Sequence, residues 1–260
     1  MKSKFLNIKN ISGLGVLSAL VIVLQLLSNY VQFGPVSITL ALFPIAVGAM
    51  LYGPLGGLYL GLLDGVMVLL APSTISFFFA IAPVGTIFTC LLKTGLAGLL
   101  AGFVFKLNKT NIRAEFIVAL IIFPILLLSA TEDIFVNPFF LTNAGQILKK
   151  IIRLINVLAF IFFIFKGLFK PMKNPAVILT SLTVPIVNTG LFIVASITIF
   201  YSTINPMAES LGQNILAFLI FSFIGWNFFL EFAINAALAS AFQNAYVNIE
   251  KRTVRKKNSV

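Results

Sequence analysis

The chain has 260 residues, of which 60% are hydrophobic and 10% are charged, and its formal net charge is +11. Soluble domains carry about a quarter charged residues, so this composition indicates a protein that crosses a membrane several times. Histidine is absent and Cys90 is the only cysteine, which argues against intrachain disulfides, thiol-rich metal sites and histidine-dependent acid-base chemistry.

The basic residues lie beside apolar runs instead of forming one surface, which is the pattern of topology signals and not of nucleic-acid binding. Lys2, Lys4 and Lys9 precede the first apolar run, and a basic tail, residues 247–260, follows the last one. We therefore expect both termini in the cytoplasm and an even number of crossings. The first run has no evident small-residue cleavage site, so we interpret it as a retained helix.

Four crossings are predicted in the first part of the chain, with about 20 apolar residues needed for a full crossing. In order, they are Ile11 to Tyr30, Ile38 to Tyr52, Pro54 to Ala71 and Phe77 to Phe105. Proline can begin a helix but interrupts its interior, so Tyr52-Gly53-Pro54 predicts a tight cytoplasmic turn between the second and third crossings. We interpret Phe77, Phe78 and Phe79 as lipid-facing or interfacial side chains.

Glycines recur at every fourth position of the third crossing, at Gly53, Gly57, Gly61 and Gly65. In water each interior glycine costs a helix about 1 kcal/mol relative to alanine. In a bilayer the backbone must form its own hydrogen bonds, so the helix is imposed and glycine allows another helix to approach closely. The stripe therefore predicts a tightly packed helical bundle.

Residues 108–173 form an inserted segment with two open interpretations. Apolar runs beginning at Phe116 and Ile151 predict an additional pair of crossings over about 114–174. Alternatively, Ile147 to Phe169 is a basic amphipathic helix on the inner membrane surface. In both interpretations the total number of membrane crossings stays even.

Two further crossings, Ala176 to Phe200 and Gly212 to Tyr246, complete the predicted core. The predicted fold class is all-α: a polytopic membrane bundle of six core transmembrane helices plus an extra helical hairpin. We expect residues 1–260 to form one transmembrane domain, whose core comprises 11–106 and 176–246.

Three charged side chains fall well inside strong apolar runs: Asp64, Lys93 and Glu231. Each costs about 2.5–3.5 kcal/mol at a helix centre on insertion scales, so a partner or a function is expected. One interpretation is a structural ion pair in which Lys93 neutralises a carboxylate. The other places these groups at a polar ligand site. Lys93 is predicted to lie nearer the cytoplasmic end of its crossing.

Neutral polar groups are concentrated in the last two crossings. Asn227, Glu231 and Asn235 are spaced by four and share one helix face, while Asn188 and Thr189 follow Pro185. These groups either form hydrogen bonds between helices or line a ligand cavity, and we favour the cavity. The predicted substrate-binding residues are Lys93, Asn188, Thr189, Asn227, Glu231 and Asn235, with Asp64 as a structural ion-pair partner.

Four segments resemble a known family in their order along the chain. They are SITLALFPIAVGAMLYGPLGGLYLGLLDG, CLLKTGLAGLLAGFVFK, PIVNTGLF and NFFLEFAINAAL. Together they look like the substrate-binding S component of an energy-coupling factor (ECF) transporter. The resemblance implies six helices that bind a vitamin or similar micronutrient from the outer side and work with a transmembrane coupling subunit and two ATPases.

The resemblance also assigns particular surfaces. Gly15, Ser18 and Ala19 would dock the coupling subunit, and the outer loops Gln32 to Ser37 and Pro72 to Ser76 would close over the ligand. The segment Asn108 to Lys173 departs from the six-helix pattern.

We therefore predict a micronutrient-binding transporter subunit in a prokaryotic plasma membrane, and not an enzyme. The chain has no G-x-x-x-x-G-K-[ST] phosphate loop, and no metal or cofactor is indicated. One alternative is an autonomous secondary transporter or channel in which Asp64 and Glu231 carry protons. A second is an integral membrane transferase or protease that uses the same two carboxylates as acid and base, although no paired-carboxylate motif supports it.

Overall fold

The computed structural model describes residues 8–30, 32–33, 36–107 and 175–224, together with isolated helical positions between 147 and 161 and between 228 and 241. Four long helices lie in these ranges: α1 (Ile8–Ser28), α2 (Leu42–Leu69), α3 (Pro83–Leu107) and α4 (Pro175–Thr198). Each is long and apolar enough to cross a membrane. The predicted all-α membrane bundle is confirmed. The two interpretations of residues 114–174, and with them the number of crossings, lie outside the continuous described ranges.

Shorter elements join the long helices. A two-residue antiparallel hairpin, β1 (Gln32–Phe33) and β2 (Val36–Ser37), follows α1. A π-helical turn (Thr74–Phe79) precedes α3. After α4 come α5 (Tyr201–Ser210) and α6 (Ile215–Ala217), which continues into a second π-helical turn (Phe218–Phe223). We call the end of the bundle beside β1 and β2 the hairpin end.

Helix α2 is itself folded back at the predicted turn. Gly53 has φ 76° and ψ −167°, a backbone conformation that side chains other than glycine rarely adopt, and Pro54 follows it. A methyl group at Gly57 would come within 2.9 Å of the Ala49 Cβ, and one at Gly48 would strike the Leu60 side chain. Because these pairs would be far apart in a straight helix, residues 42–52 and 54–69 form two antiparallel arms.

The glycine stripe packs directly on the backbone of α3. A Cβ at Gly65 would lie 2.8 Å from the Cys90 carbonyl oxygen, and Cβ atoms at Gly61 and Gly57 would strike the Thr94 and Gly98 carbonyls. Successive contacts are four residues apart on both helices, and the residue numbers rise along one helix as they fall along the other. The second arm of α2 and α3 are therefore antiparallel. The close-packing interpretation of the stripe is therefore supported by its contacts.

This packing predicts a large cost for any side chain in the stripe. We expect Gly61→Leu to lower the stability of the protein in detergent by about 3 kcal/mol or more, because the new side chain meets rigid backbone and cannot be relieved by a rotamer change. Thermal unfolding followed by size-exclusion chromatography measures the effect. Gly190→Leu is the matched control, because a Cβ there meets nothing within 4 Å. Equal stability of the two variants would contradict the packing.

The apolar core lies where α1, both arms of α2, α3 and α4 meet. Its fully buried members include Val21, Ile45, Leu60, Ala97 and Val184. At the hairpin end a second cluster is formed mainly by phenyl rings from the two π-helical turns, from α4 and from Phe200, and it is covered by the buried face of α5. The bundle is therefore aliphatic in its centre and aromatic at the hairpin end.

Candidate functional site

A cavity of about 40 Å³ lies at the hairpin end of the bundle, between the second arm of α2, the first π-helical turn, α3 and α4. A volume of this size holds a few water molecules, so a larger ligand requires the surrounding helices to move apart. The residues around it, which we call the cavity wall, are Thr39, Val68, Ser73, Thr74, Phe78, Thr86, Thr89, Cys90, Lys93, Phe192 and Phe200.

Lys93 supplies the charge of the cavity wall. Its side chain is 8% exposed, and its Nζ atom lies 5.4 Å from the centre of the Phe192 ring, within cation–π range. Within the described part of the chain, no residue accepts a hydrogen bond from this ammonium group. Lys93 is ten residues from Pro83 and fourteen from Leu107, so it lies in the half of α3 nearer the hairpin end. Its expected position nearer the cytoplasmic end stays a prediction.

Two threonines of α3 give the cavity wall hydrogen-bond acceptors. Thr86 Oγ1 lies 2.9 Å from the Phe78 carbonyl oxygen and 2.8 Å from that of Ala82, and Thr89 Oγ1 donates to the Gly85 carbonyl at 2.7 Å. A hydroxyl has one proton and two lone pairs. Because the protons are directed at backbone carbonyls, each hydroxyl can serve only as an acceptor toward a group in the cavity.

Phe78, on the first π-helical turn, lies at the centre of the aromatic part of the wall. Its ring centre is 5.2 Å from that of Phe200 and 5.6 Å from that of Phe192, both in edge-to-face geometry. The side chain is 7% exposed, so our interpretation of this phenylalanine as lipid-facing or interfacial is wrong. π-Helical turns are rare and frequently occur at functional sites.

Asp64 is fully buried, yet neither of its carboxylate oxygens has a hydrogen-bond partner among the described residues. The charges that act on it are the attractive Lys93 ammonium and the repulsive Glu231 carboxylate. The three charged side chains singled out in the sequence thus share one electrostatic neighbourhood. The predicted pairing of Asp64 with Lys93 is not a direct hydrogen bond, and Asp64 does not belong to the cavity wall.

Glu231, on the last crossing, faces the segment between β2 and α2. Its Oε1 atom accepts a hydrogen bond from the Thr39 backbone N–H at 2.7 Å, and the side chain is 5% exposed. Asn235 donates from Nδ2 to the Glu231 carbonyl oxygen at 2.8 Å. Neither residue belongs to the cavity wall.

The other predicted binding residues are buried without lining this cavity. Asn188 is 4% exposed and Thr189 is 9% exposed, and the Asn188 Oδ1 atom has no hydrogen-bond partner among the described residues. Asn227 lies outside the described residues. Of the predicted binding set, Lys93 is the member that the described structure places at the cavity.

Sequence reasoning missed the hydroxyl and phenyl groups of the wall. One signal was available: Thr86, Thr89, Cys90 and Lys93 are spaced by three, one and three residues, so they share one face of α3. No sequence pattern pointed to Thr39, because it lies in a short segment without helical or strand periodicity.

The predicted docking residues lie on a peripheral helix. Gly15 and Ala19 are exposed on α1, and a Cβ at Gly15 would meet nothing within 4 Å. Ser18 is half-buried, and its hydroxyl donates to the Leu14 carbonyl at 2.7 Å. Gly13 is different, because a Cβ there would strike the Tyr52 hydroxyl. Gly15 is thus not needed for packing within the described structure.

A model of a known protein family matches the chain. The family model described as ECF transporter, substrate-specific component, matches residues 9–172. No curated protein and no solved structure matches the chain. The match includes most of the inserted segment, which the resemblance had left out, and ends before α4. Because it spans more than half of a chain of 260 residues, the protein belongs to the family of substrate-specific components of ECF transporters.

Proposed function

We propose that this chain binds a water-soluble vitamin or related micronutrient and delivers it to an ECF importer in a prokaryotic plasma membrane. The observation that carries the proposal is the cavity at the hairpin end, where the Lys93 ammonium, phenyl rings and hydroxyl acceptors converge. Such a wall suits a small molecule with both a ring and polar groups, since apolar surface gives affinity and a few placed polar groups give specificity.

The hairpin end would face the outside of the cell. Basic residues at both termini favour cytoplasmic ends, which puts the β1–β2 loop and the π-helical turn before α3 on the outer surface. Ser73 and Thr74, from the segment Pro72 to Ser76, belong to the cavity wall. This segment was predicted to be a loop, but it is helical in the structure. A ligand arriving from outside would meet the cavity wall first, and movement of this helical turn would admit it.

Energy for release would come from partner proteins. The chain has no phosphate loop, so we propose that two ATPases act through a transmembrane coupling subunit that docks on α1 at Gly15, Ser18 and Ala19. The exposed, side-chain-free surface at Gly15 supports this site, because small residues let the backbones of membrane helices approach closely.

Within the site, we assign Lys93 the main polar contact with the substrate. Its three N–H donors lie at the cavity without a described acceptor, and an ammonium group buried without partners is costly. Asn188, Thr189 and Asn235 would reach a ligand only after the helices move, because they do not line the cavity as it stands. Asn227 stays a prediction.

Purification followed by mass spectrometry of retained small molecules tests the proposed function. We expect a vitamin-like compound to co-purify with the chain, to rebind with micromolar affinity or better, and to enter cells only when the coupling subunit and ATPases are present. Absence of binding across a panel of water-soluble vitamins, together with normal growth of a deletion strain on each of them, would contradict it.

The unpartnered carboxylate of Asp64 favours one competing function, a proton-coupled secondary transporter. Liposomes that contain this chain alone distinguish the two. Uptake driven by a pH gradient and abolished by Asp64→Asn would establish the autonomous transporter, whereas the ECF proposal requires no uptake in this preparation.

A further inference from the structure

The segment between β2 and α2, residues 38–41, is not helical although it is buried in the bundle. Its backbone N–H groups therefore need partners outside a helix, because unsatisfied backbone is not tolerated at membrane depth. Two side chains supply partners for two of them, the N–H groups of Thr39 and Leu40. Glu231 Oε1 accepts from the Thr39 N–H at 2.7 Å, and Ser28 Oγ accepts from the Leu40 N–H at 3.0 Å.

These two hydrogen bonds fasten the segment to different helices. Ser28 is the last residue of α1 and is fully buried. Glu231 belongs to the last predicted crossing, 192 residues away from Thr39 along the chain. Of the two fastened residues, Thr39 belongs to the cavity wall and Leu40 does not. The bond from Glu231 is thus the one that acts on the cavity.

We infer that Glu231 is a positioning residue for substrate binding, which holds Thr39 in the cavity wall and does not itself touch the ligand. The inference rests on the proposed function, and it changes the role of Glu231 from the direct contact that the sequence suggested. The carboxylate is 5% exposed and already engaged by a backbone donor, and it is absent from the cavity wall.

The carboxyl group accepts this bond through an oxygen atom that carries lone pairs whether or not the group is ionised. Thr39 follows β2 by two residues, so the bond that fixes Thr39 also fixes the base of the β1–β2 loop, which we propose to face outside. Glu231 thereby connects the last crossing to both the cavity wall and the loop above it.

Cys90 allows this to be tested without a known ligand. It is the only cysteine, it belongs to the same cavity wall as Thr39, and it is 5% exposed. The rate of its modification by N-ethylmaleimide in detergent reports whether the wall is closed. We expect Glu231→Leu to raise this rate about tenfold or more, the effect of leaving the buried Thr39 N–H without an acceptor. Glu231→Gln keeps a carbonyl acceptor, so its rate should stay within about threefold of the unmodified protein.

Ser28→Ala is the matched control. It removes a similar bond from the neighbouring residue Leu40, which is not in the wall, so the Cys90 rate should not change. If Glu231→Leu does not fold, Glu231→Ser replaces it in the assay. The serine hydroxyl is too short to reach Thr39, so we expect the same rise in the rate of Cys90 modification. An unchanged rate in a folded Leu or Ser variant overturns the inference, as does an equal rise in the Gln or Ser28→Ala variant. Because the assay uses no substrate, failure of the vitamin panel contradicts the proposed function without affecting this result.

Discussion

Replacing Lys93 with methionine is expected to weaken binding of the co-purifying ligand by about 25-fold or more. Methionine keeps most of the length and apolar stem of the side chain but removes the ammonium group from the cavity wall. Truncating one partner of a buried, charged hydrogen bond costs about 2–5 kcal/mol, and every 1.4 kcal/mol is a factor of ten. Isothermal titration of ligand-free protein in detergent measures the change. Lys106→Met is the control, because this lysine is exposed near the opposite end of the same helix.

The burial of Lys93 can also be explained by a structural role, as a counter-charge for a buried carboxylate. A second variant separates this role from contact with the substrate. The ammonium attracts the Asp64 carboxylate, which is buried without a hydrogen-bond partner among the described residues, so its removal destabilises the ionised form of that group. If charge compensation were its only role, Asp64→Asn combined with Lys93→Met would restore both stability and affinity. We expect the double variant to recover stability but not affinity. Recovery of both would contradict a direct contact between Lys93 and the substrate.

The features that could be predicted from the sequence are those that the bilayer imposes locally. The turn at Gly53 followed from a glycine and a proline between two apolar runs, and a positive φ at Gly53 makes that turn. The stripe at Gly57, Gly61 and Gly65 followed from the need of membrane helices for small residues at close contacts, and it lies against the α3 backbone. Each of these sequence patterns lies within one helix or one turn, so it can be recognised without knowledge of long-range contacts.

The cavity could not be predicted in the same way, because its wall is assembled from distant segments. Phe78, Phe192 and Thr39 are ordinary residues of apolar or irregular stretches, and only the tertiary packing brings them around Lys93. The partner of Glu231 was equally hidden. It is a backbone N–H group, which every residue except proline carries, so no side-chain pattern could reveal it.

Gly15→Trp is expected to abolish transport while leaving substrate binding intact. In the described structure a side chain at Gly15 meets nothing within 4 Å, so the substitution should leave the fold and the cavity unchanged. If α1 is the surface that meets the coupling subunit, an indole group there prevents close approach of the two backbones. We expect uptake by cells that express the complete transporter to fall at least tenfold, with the affinity of the purified chain unchanged.

Two controls decide whether such a loss reflects docking. Gly190→Trp places the same bulk on α4, at another position where a Cβ meets nothing, and should leave uptake normal if docking is confined to α1. Gly13→Trp places it on the packed side of α1, where a Cβ strikes Tyr52, and should lower stability instead. Co-purification with the coupling subunit then locates the defect: we expect Gly15→Trp to lose the partner and Gly190→Trp to retain it. Normal uptake and normal co-purification by Gly15→Trp would contradict docking on α1. Gly15 is the exposed glycine of this helix, and tryptophan is the largest side chain that can be placed there.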